Sequence, residues 1–161
     1  MSFKSTLVLG NNSYNVLSFS MNIHQQTDQY GVPRDRVSCD VLSIVIESSG
    51  KDDEISEWAT SPKMKKNGQV TFFKRDASAI GKTIAFEDAY CIGYNTDYSD
   101  NEGVPMTLKI MLSAMCVKIN DKYVVKTPVY TNGSKGGSSG SSSSSGSTET
   151  ANAPIASFIA D

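Results

Sequence analysis

The clearest pattern in the chain is an alternation of apolar and polar side chains over residues 104–119. A period of two is typical of a β-strand with one face on a core. That face carries Met106, Leu108, Ile110, Leu112, Ala114 and Cys116. Residues 83–94 alternate in the same way, and the segment between the two runs, DYSDNEGVP, is rich in turn formers. The two runs therefore predict a long antiparallel hairpin.

A first hairpin is predicted near the start of the chain, where residues 3–9 and 14–26 flank a turn at GNNS. The second strand of this hairpin has an apolar face with Leu17, Phe19, Met21 and Ile23. Its opposite face is polar and could line solvent or a water-filled channel; it carries Ser18, Ser20, Asn22 and His24. In the next segment, residues 27–35, Gly31 and Pro33 prevent a regular strand, so an exposed loop is expected.

Residues 36–47 predict a strand of a different kind, because its centre, VLSIVI, is apolar on both faces. One face then meets the core, and the other meets another surface. In the central run, the face opposite the core also ends in apolar side chains, which include Met111 and Met115. A small barrel that functions alone has little reason to expose so many apolar side chains. These surplus faces predict a β protein that binds other copies of itself. Residues 69–75 and 122–130 supply the remaining predicted strands.

One helix is predicted, over residues 52–60. Its acidic first turn suits the positive end of the helix dipole. Ile55, Trp58 and Ala59 fall on one stripe, and Pro62 ends the segment. A helix with so short an apolar stripe is not stable in water on its own. We therefore expect it to pack on the barrel, where it could close one end.

The composition restricts the class of protein and of partner. A chain of 161 residues can bury a self-supporting core in one domain. The net charge of -2, without an extended run of one sign, argues against nucleic acid, and the lysines around residues 63–82 have acidic neighbours and predict a solvated rim. No window is apolar enough for membrane insertion, and the N-terminus lacks the apolar segment of a signal peptide. We therefore expect a cytoplasmic protein whose export needs dedicated machinery.

Candidate chemistry is sparse. Cys39, Cys91 and Cys116 lack the spacing of a metal site and are predicted to be small buried hydrophobic residues in a reducing compartment. The sequence positions no serine and aspartate beside His24, so a polar surface or lumen position is predicted for it. The GxSxG match at residues 136–140 lies in low-complexity sequence, without the strand and helix that a nucleophile elbow needs. No metal, cofactor or nucleotide site is indicated, and no enzyme is predicted.

The composition changes abruptly at Asn132. Residues 134–147 are almost entirely serine and glycine, as in a flexible linker. The end of the chain regains apolar residues at Ile155, Phe158 and Ile159. The expected organisation is a domain at 1–131 followed by a flexible tail at 132–161. The tail is either a natural extension or an added sequence, and its terminal segment is expected to be disordered or transiently docked on the assembly.

Several segments follow one another in a recognisable order: MSFKSTLVLGNNSYNVLSFSMNIHQQTDQYGVPRDRVSCDVLSIVIES, EISEWAT, GQVTFFKR, KTIAFEDAYCIGY and PMTLKIMLSA. Over residues 2–127 the chain resembles the Hcp (TssD) family of type VI secretion tube proteins, in the form found in Bacteroidota. The resemblance implies a small antiparallel β-barrel with one short helix that forms hexameric rings, which stack head to tail into a hollow tube. It further implies that a contractile sheath drives the tube, tipped by a VgrG spike, into a neighbouring cell with effectors in the lumen. The protein would then be cytoplasmic before firing and extracellular afterwards.

The resemblance, together with the surplus apolar faces, also implies roles for particular residues. Ring stacking is assigned to the loop at 26–36, through Tyr30, Val32, Pro33, Arg34 and Arg36. Subunit contacts within a ring are assigned to Val41, Ile44, Val45, Met111 and Met115. The polar face with Ser18, Ser20, Asn22 and His24 is the candidate for the lumen lining, and bulk solvent is the alternative. The alternative is a monomeric barrel that holds an apolar ligand, and the size of the protein in solution distinguishes the two.

Overall fold

A computed structural model of the chain describes residues 4–75, 79–100, 103 and 106–127. Within these residues the chain forms ten β-strands and one α-helix. The helix, α1, is Asp53–Thr60. The strands are β1 (Ser5–Leu9), β2 (Asn12–Ser20), β3 (Ile23–His24), β4 (Ser38–Cys39), β5 (Leu42–Glu47), β6 (Lys66–Phe73), β7 (Ile80–Tyr98), β8 (Met106–Ser113), β9 (Cys116–Ile119) and β10 (Tyr123–Lys126).

Six of the strands form a closed antiparallel barrel in the order β7-β6-β1-β2-β5-β8. The barrel closes because β7 is long enough to pair with two strands: its first half pairs with β6, and its second half pairs with β8. The strands β9 and β10 extend the sheet beside the first half of β7, and β3 and β4 form a separate two-stranded sheet. The prediction of a small antiparallel β-barrel with one short helix is therefore confirmed.

The paired strands β2 and β5 have two ends, which serve as reference positions on the barrel. Where the chain leaves β2 for β3, Ser20 lies opposite Ser43, and we call this the arm end. The other end, where β5 finishes at Glu47, is also where α1 reaches the β1–β2 turn through a hydrogen bond from Asn12 Nδ2 to Glu54. We call it the helix end.

Alternate side chains along the strands point inward and fill the core. The strands β5 and β8 show it most clearly, because from Leu42 and from Leu108 onward every second residue points inward and is almost fully buried. These inward residues are Leu42, Ile44, Ile46, Leu108, Ile110 and Leu112. Burial of each such side chain stabilises the fold by about 1.5–3 kcal/mol. The two strands pair with each other, so these side chains form one continuous wall of the core.

The predicted long hairpin is confirmed, with one interruption. The strand β8 follows the second half of β7, and β9 continues along the first half, with Cys116 opposite Glu87. Between them Ala114 and Met115 lie outside the strands, and Met115 N donates to Glu87 O (3.2 Å). Asp88, beside the interruption, has a positive φ of 49°. The irregularity lets one long hairpin bend and serve two parts of the barrel.

A β-bulge changes which side chains of β2 face the core. The register with β5 shifts between Val16 and Ser18, and the extra residue reverses the alternation. Leu17 was predicted to face the core, but it is 44% exposed. The prediction of a single strand over residues 14–26 is also wrong, because β2 ends at Ser20.

The helix α1 packs on the barrel as predicted. Ile55 and Trp58 are fully buried, and Trp58 Nε1 donates to the carbonyl oxygen of Ala89 on β7 (3.1 Å). The indole ring stacks on Phe86, with centroids 6.4 Å apart and an interplanar angle of 15°. The short helix is therefore held by the barrel, since eight residues would not remain helical alone.

Gly68 on β6 lies where the core leaves no room for a side chain. A Cβ there would be 2.5 Å from Phe86 Cζ and 2.7 Å from Leu9 Cδ2, and both neighbours are buried. We expect Gly68→Ala to lower the free energy of unfolding by about 1–3 kcal/mol, because the core must shift. Urea denaturation measures the change. Gln69→Ala, at an exposed position of the same strand, is the control, and equal stability of the two variants would contradict the prediction.

Some sequence predictions lie outside the described residues. They include the GxSxG match at 136–140 and the whole tail at 132–161, so the domain boundary stays a prediction. The strand predicted over residues 122–130 is present as β10 in its described part. Among the described residues, no helix has the length and apolar character needed to cross a membrane.

Candidate assembly surfaces

The predicted stacking loop is the tip of a longer hairpin, residues 22–40, which we call the arm. Asp40 N donates to Asn22 O at its base (2.9 Å). The strands β3 and β4 then pair, and Arg34 N donates to Gln26 O nearer the tip (2.7 Å). The arm is therefore an ordered projection of the backbone.

The tip of the arm is built around Asp28. Its Oδ1 accepts hydrogen bonds from the backbone N–H groups of Tyr30 (2.9 Å) and Val32 (3.0 Å). Gly31 permits the tight turn, with a φ of 77°. Tyr30 is 80% exposed. The other predicted stacking residues at the tip are exposed as well: Val32, Pro33, Arg34 and Arg36. The tip thus holds an aromatic ring and two guanidinium groups in solvent.

We expect Asp28→Ala to loosen the tip of the arm without unfolding the barrel. The substitution removes the acceptor of two backbone N–H groups, whereas the contacts of the barrel core are unchanged. Hydrogen exchange should become faster at Tyr30 and Val32, and the melting temperature should stay close to that of the parent. Gln29→Ala, at an exposed position of the same turn, is the control. Unchanged exchange in Asp28→Ala would refute this account of the tip.

The base of the arm contains a polar cluster, although the sequence indicates no serine and aspartate beside His24. His24 Nδ1 is 3.2 Å from Asp40 Oδ1, and His24 Nε2 is 3.1 Å from Ser38 Oγ. Asn22 Nδ2 donates to the other carboxylate oxygen of Asp40 (2.7 Å). The order of contacts is that of a serine–histidine–aspartate triad, but triad catalysis also needs a preorganised oxyanion site. What the contacts show is a network that joins the two sides of the arm.

The predicted lumen residues do not share one face. Ser18 and Ser20 are exposed on β2, and Ser18 lies opposite Val45 of β5. Asn22 and His24 belong to the arm and its polar cluster instead. The end of β2 separates the two pairs, and a simple count of alternate positions could not predict that end.

The outward side of β2, β5 and β8, which we call the outer face, brings the predicted lumen and interface residues together. Val45 lies between Ser18 of β2 and Lys109 of β8. In the next row Met111 packs against Gly93 of β7, where a Cβ would be 3.0 Å from Met111 Cβ. The outer face is therefore polar at β2 and more apolar towards β8.

The other predicted interface residues occupy different environments. Ile44 is 0% exposed in the core, because the alternation of β5 turns it inward, and its side chain is not available to a neighbouring subunit. Val41 is exposed just before β5 begins. Met115 is half-buried at the interruption between β8 and β9. The prediction that Ile44 contacts a neighbouring subunit is thus corrected. On this strand the side chain of Val45 points outward instead.

Three apolar side chains are exposed together at the helix end, and we call them the end patch: Tyr94, Tyr98 and Met106. Tyr98 lies opposite Met106, and Tyr94 lies opposite Ile110 deeper in the barrel. Tyr94 Oη is 3.2 Å from Ser56 Oγ of α1. Alternation predicts that Met106 faces the core, but at this end of the strand pair the side chain is exposed. Tyr98 is 67% exposed.

A partly buried ion pair connects α1 with the barrel. Lys66 Nζ is 2.7 Å from Glu54 Oε1. Burial acts to raise the pKa of the Glu54 carboxyl, but hydrogen bonds from Lys66 and Asn12 and the charge of Lys66 lower this pKa below its ordinary value. Burial, with the charges of Glu54 and Asp52, raises the pKa of Tyr14 nearby. The network fixes the start of α1 against β2 and β6.

The cysteines show no reactive environment. Cys116 is buried, and Cys39 and Cys91 are half-buried against the core. Burial raises the pKa of the Cys39 and Cys91 thiols, which keeps them protonated and poorly nucleophilic. Within the described part of the chain, no three histidine, cysteine, aspartate or glutamate side chains come together as a metal site requires.

A closed barrel with a projecting arm and several exposed apolar surfaces is typical of a subunit that assembles with others. The family model for the hemolysin coregulated protein Hcp (TssD) matches residues 1–127. The chain belongs to the Hcp (TssD) family, the tube proteins of type VI secretion systems. This confirms the resemblance that the sequence segments indicated. No curated protein matches the chain.

Solved structures of similar proteins have the same fold. Hcp1 from Flavobacterium johnsoniae is 30% identical with a TM-score of 0.70, over 78% of this chain and 100% of that chain. Hcp1 from Salmonella typhimurium is 16% identical with a TM-score of 0.59, over 73% and 86%. The PVC sheath/tube terminator of an extracellular contractile injection system is 15% identical with a TM-score of 0.56, over 71% and 91%. The last two likenesses show the fold alone.

Proposed function

We propose that the protein forms hexameric rings that stack head to tail into the hollow inner tube of a type VI secretion system. The observation that carries the proposal is the exposure of apolar side chains at three separate places on one small barrel: the outer face, the tip of the arm and the end patch. In water a monomer gains nothing from exposing them, whereas a subunit with neighbours on several sides covers each one.

Ring closure is proposed to combine the outer face with free strand edges. Among the described residues, β10 pairs with β9 alone, and the second half of β7 pairs with β8 alone. Such edges can pair with another copy of the chain. Contacts between two different surfaces of neighbouring copies close into a ring when the rotation allows. In this arrangement Val45 and Met111 contact the neighbour, while Ser18 and Ser20 line the lumen.

The proposed role is mechanical, and the subunit catalyses no reaction. Contraction of a sheath supplies the energy, and many repeated contacts keep the tube intact as it moves. A VgrG spike at the tip and effectors in the lumen are the further proposed partners. The protein is then cytoplasmic before contraction and outside the cell afterwards. Support comes from the family and from the fold shared with the PVC sheath/tube terminator.

Light scattering and electron microscopy of the purified full chain test the proposal. We expect a species of six times the chain mass, seen as rings with a central hole. A monomer across the concentrations that microscopy and scattering cover would contradict ring assembly. It would instead favour the monomeric ligand-binding barrel.

We expect replacement of Tyr30 and Arg34 by alanine to leave rings intact and to abolish their stacking. Both side chains project from the tip of the arm, and tyrosine and arginine contribute strongly to protein interfaces. Electron microscopy counts rings and stacked tubes. Gln25→Ala with Gln29→Ala is the matched control, because both glutamines are exposed in the same arm. Normal tubes in the Tyr30 and Arg34 variant would rule out a stacking role for the tip.

A further inference from the structure

An apolar pocket of ≈ 420 Å³ opens at the arm end of the barrel, and Ser20 is among the residues around it. It is lined by Phe19, Ser20, Met21, Phe72, Lys82 and Ile84. Phe19, Met21 and Phe72 pack against the core on one side, yet each keeps part of its surface exposed. Further cover of these side chains by an apolar group would be favourable. The pocket therefore suits an apolar occupant.

The alternation of β1 supplies a candidate. Ser5, Leu7 and Leu9 are buried on the core face, and Lys4, one position before the strand, is exposed. The next position of the core-facing parity is Phe3. Residues 1–3 lie before the described part of the chain, and parity assigns Phe3 to the core side.

Strand pairing brings the chain to one wall of the pocket. Ser5 lies opposite Phe72 of β6, and Phe72 lines the pocket. Phe73 N donates to Lys4 O (3.0 Å), so the pairing of β1 with β6 extends to Lys4. The backbone next to Phe3 is therefore held beside the strand that carries this wall.

Two aromatic rings meet close to this point. The strand β1 lies between β6 and β2, and the rings of Phe72 and Phe19 come from these two flanking strands. Their centroids are 5.4 Å apart with an interplanar angle of 71°, which is an edge-to-face contact. The side chain of Ser5, opposite Phe72, is small enough to let the two rings meet across β1. Phe3 is the next core-facing position beyond Ser5 and would add a third ring beside this pair.

We infer that Phe3 binds in this pocket and packs on the rings of Phe19 and Phe72, so that the segment at 1–3 covers this apolar end of the core. The contact is one that the barrel makes with its own chain. The inference therefore goes beyond ring assembly and does not depend on it.

The covalent tether favours Phe3 over a free ligand. Phe3 is joined to Lys4, which β6 already holds, so its effective concentration at the pocket is far higher than that of a molecule from solution. Few further backbone groups have to be ordered, so the entropic cost is small. The chain itself then occupies the site that a ligand-binding barrel would offer, and an apolar ligand enters only when Phe3 is removed.

Dye binding to the full chain tests the inference. Phe3→Ala should open the pocket, and the apolar anionic dye anilinonaphthalene sulfonate should then fluoresce several-fold more strongly than with the parent. Its rings would meet the apolar walls and its sulfonate the ammonium of Lys82. Lys82→Glu added to Phe3→Ala should return the signal towards the parent level, which locates the dye in this pocket. Lys4→Ala, at the exposed neighbouring position, is the matched control and should leave the fluorescence unchanged.

Thermal unfolding supplies a second, independent measurement. Phe3→Ala should lower the melting temperature by about 3–8 °C, because an aromatic ring leaves the core, whereas Phe3→Leu keeps most of the cover and should lose less. In a double-mutant cycle the effects of Phe3→Ala and Phe72→Leu should not add, because the two rings are in contact. Ile55→Val is the distant control, because α1 lies beside the β1–β2 turn at the other end of β1, and its effect should add to that of Phe3→Ala.

The outcomes separate this inference from the proposed function. Unchanged fluorescence and an unchanged melting temperature in Phe3→Ala overturn the inference. Strong dye binding by the parent that Lys82→Glu reduces also overturns it, because the pocket would then be open. Additive effects of Phe3→Ala and Phe72→Leu overturn the contact with the aromatic pair. The size of the parent in solution decides the proposed function alone.

Discussion

Ile44→Asp is expected to unfold the barrel, whereas Val45→Asp is expected to give a folded subunit that no longer forms rings. Ile44 is 0% exposed, so the new carboxylate would be buried without a partner, at a cost of several kcal/mol. The whole fold of such a domain is stable by only about 5–15 kcal/mol. Val45 points to the outer face, where a monomer leaves a carboxylate hydrated and a neighbouring subunit would bury it.

Circular dichroism with urea denaturation measures the folding of both variants, and light scattering measures their size. Ser18→Asp is the matched control for Val45→Asp, because Ser18 lies directly opposite Val45 on the same face and is proposed to line the lumen. We expect Ser18→Asp to keep its rings. Rings in Val45→Asp would remove the outer face from the interface, and a stable Ile44→Asp would refute the register of β5.

Trp58→Ala is expected to lower the free energy of unfolding by about 3–5 kcal/mol. The indole is the largest fully buried side chain, it stacks on Phe86, and its N–H satisfies the carbonyl oxygen of Ala89. Its removal leaves a cavity between α1 and β7 together with an unpaired buried acceptor. The helix then loses its main anchor, so helical content should fall before the β-structure does.

Trp58→Phe separates packing from hydrogen bonding. This variant keeps an aromatic ring against Phe86 but no longer donates to Ala89 O, and we expect a smaller loss of about 1–3 kcal/mol from the unpaired carbonyl. Chemical denaturation followed by circular dichroism compares the two variants. Equal stability of Trp58→Ala and the parent would mean that the helix is not held by this side chain.

The sequence predicted the parts of the fold that follow from local alternation. The pairing of β7 with β8 was predictable, because both runs alternate between apolar and polar residues, apart from Asp88, and a turn-rich segment joins them. The helix was predictable from an apolar stripe that Ile55 and Trp58 occupy in the structure. The prediction of rings and tubes came from the family resemblance. Alternation alone indicated only that some apolar side chains would remain exposed on the barrel.

Other features depend on contacts between distant residues, and the sequence could not give them. The bulge in β2 exposes Leu17, and only the pairing with β5 reveals it. The polar cluster of His24 needs the register that brings Ser38 and Asp40 to it from the other side of the arm. The end patch was missed for a related reason: Tyr98 continues a pattern that is buried elsewhere, and alternation does not tell where a core ends.

The length of β7 has a consequence for how the subunit bears force. This one strand runs from Ile80 to Tyr98, a backbone contour of about 60 Å at ~3.3 Å per residue, with a bend beside Asp88. A pull on either end is therefore carried by a continuous backbone, and the ladders with β6, β8 and β9 share the load in shear along their whole length. Rupture would need many hydrogen bonds to break together, so the subunit should resist the acceleration of a contracting machine.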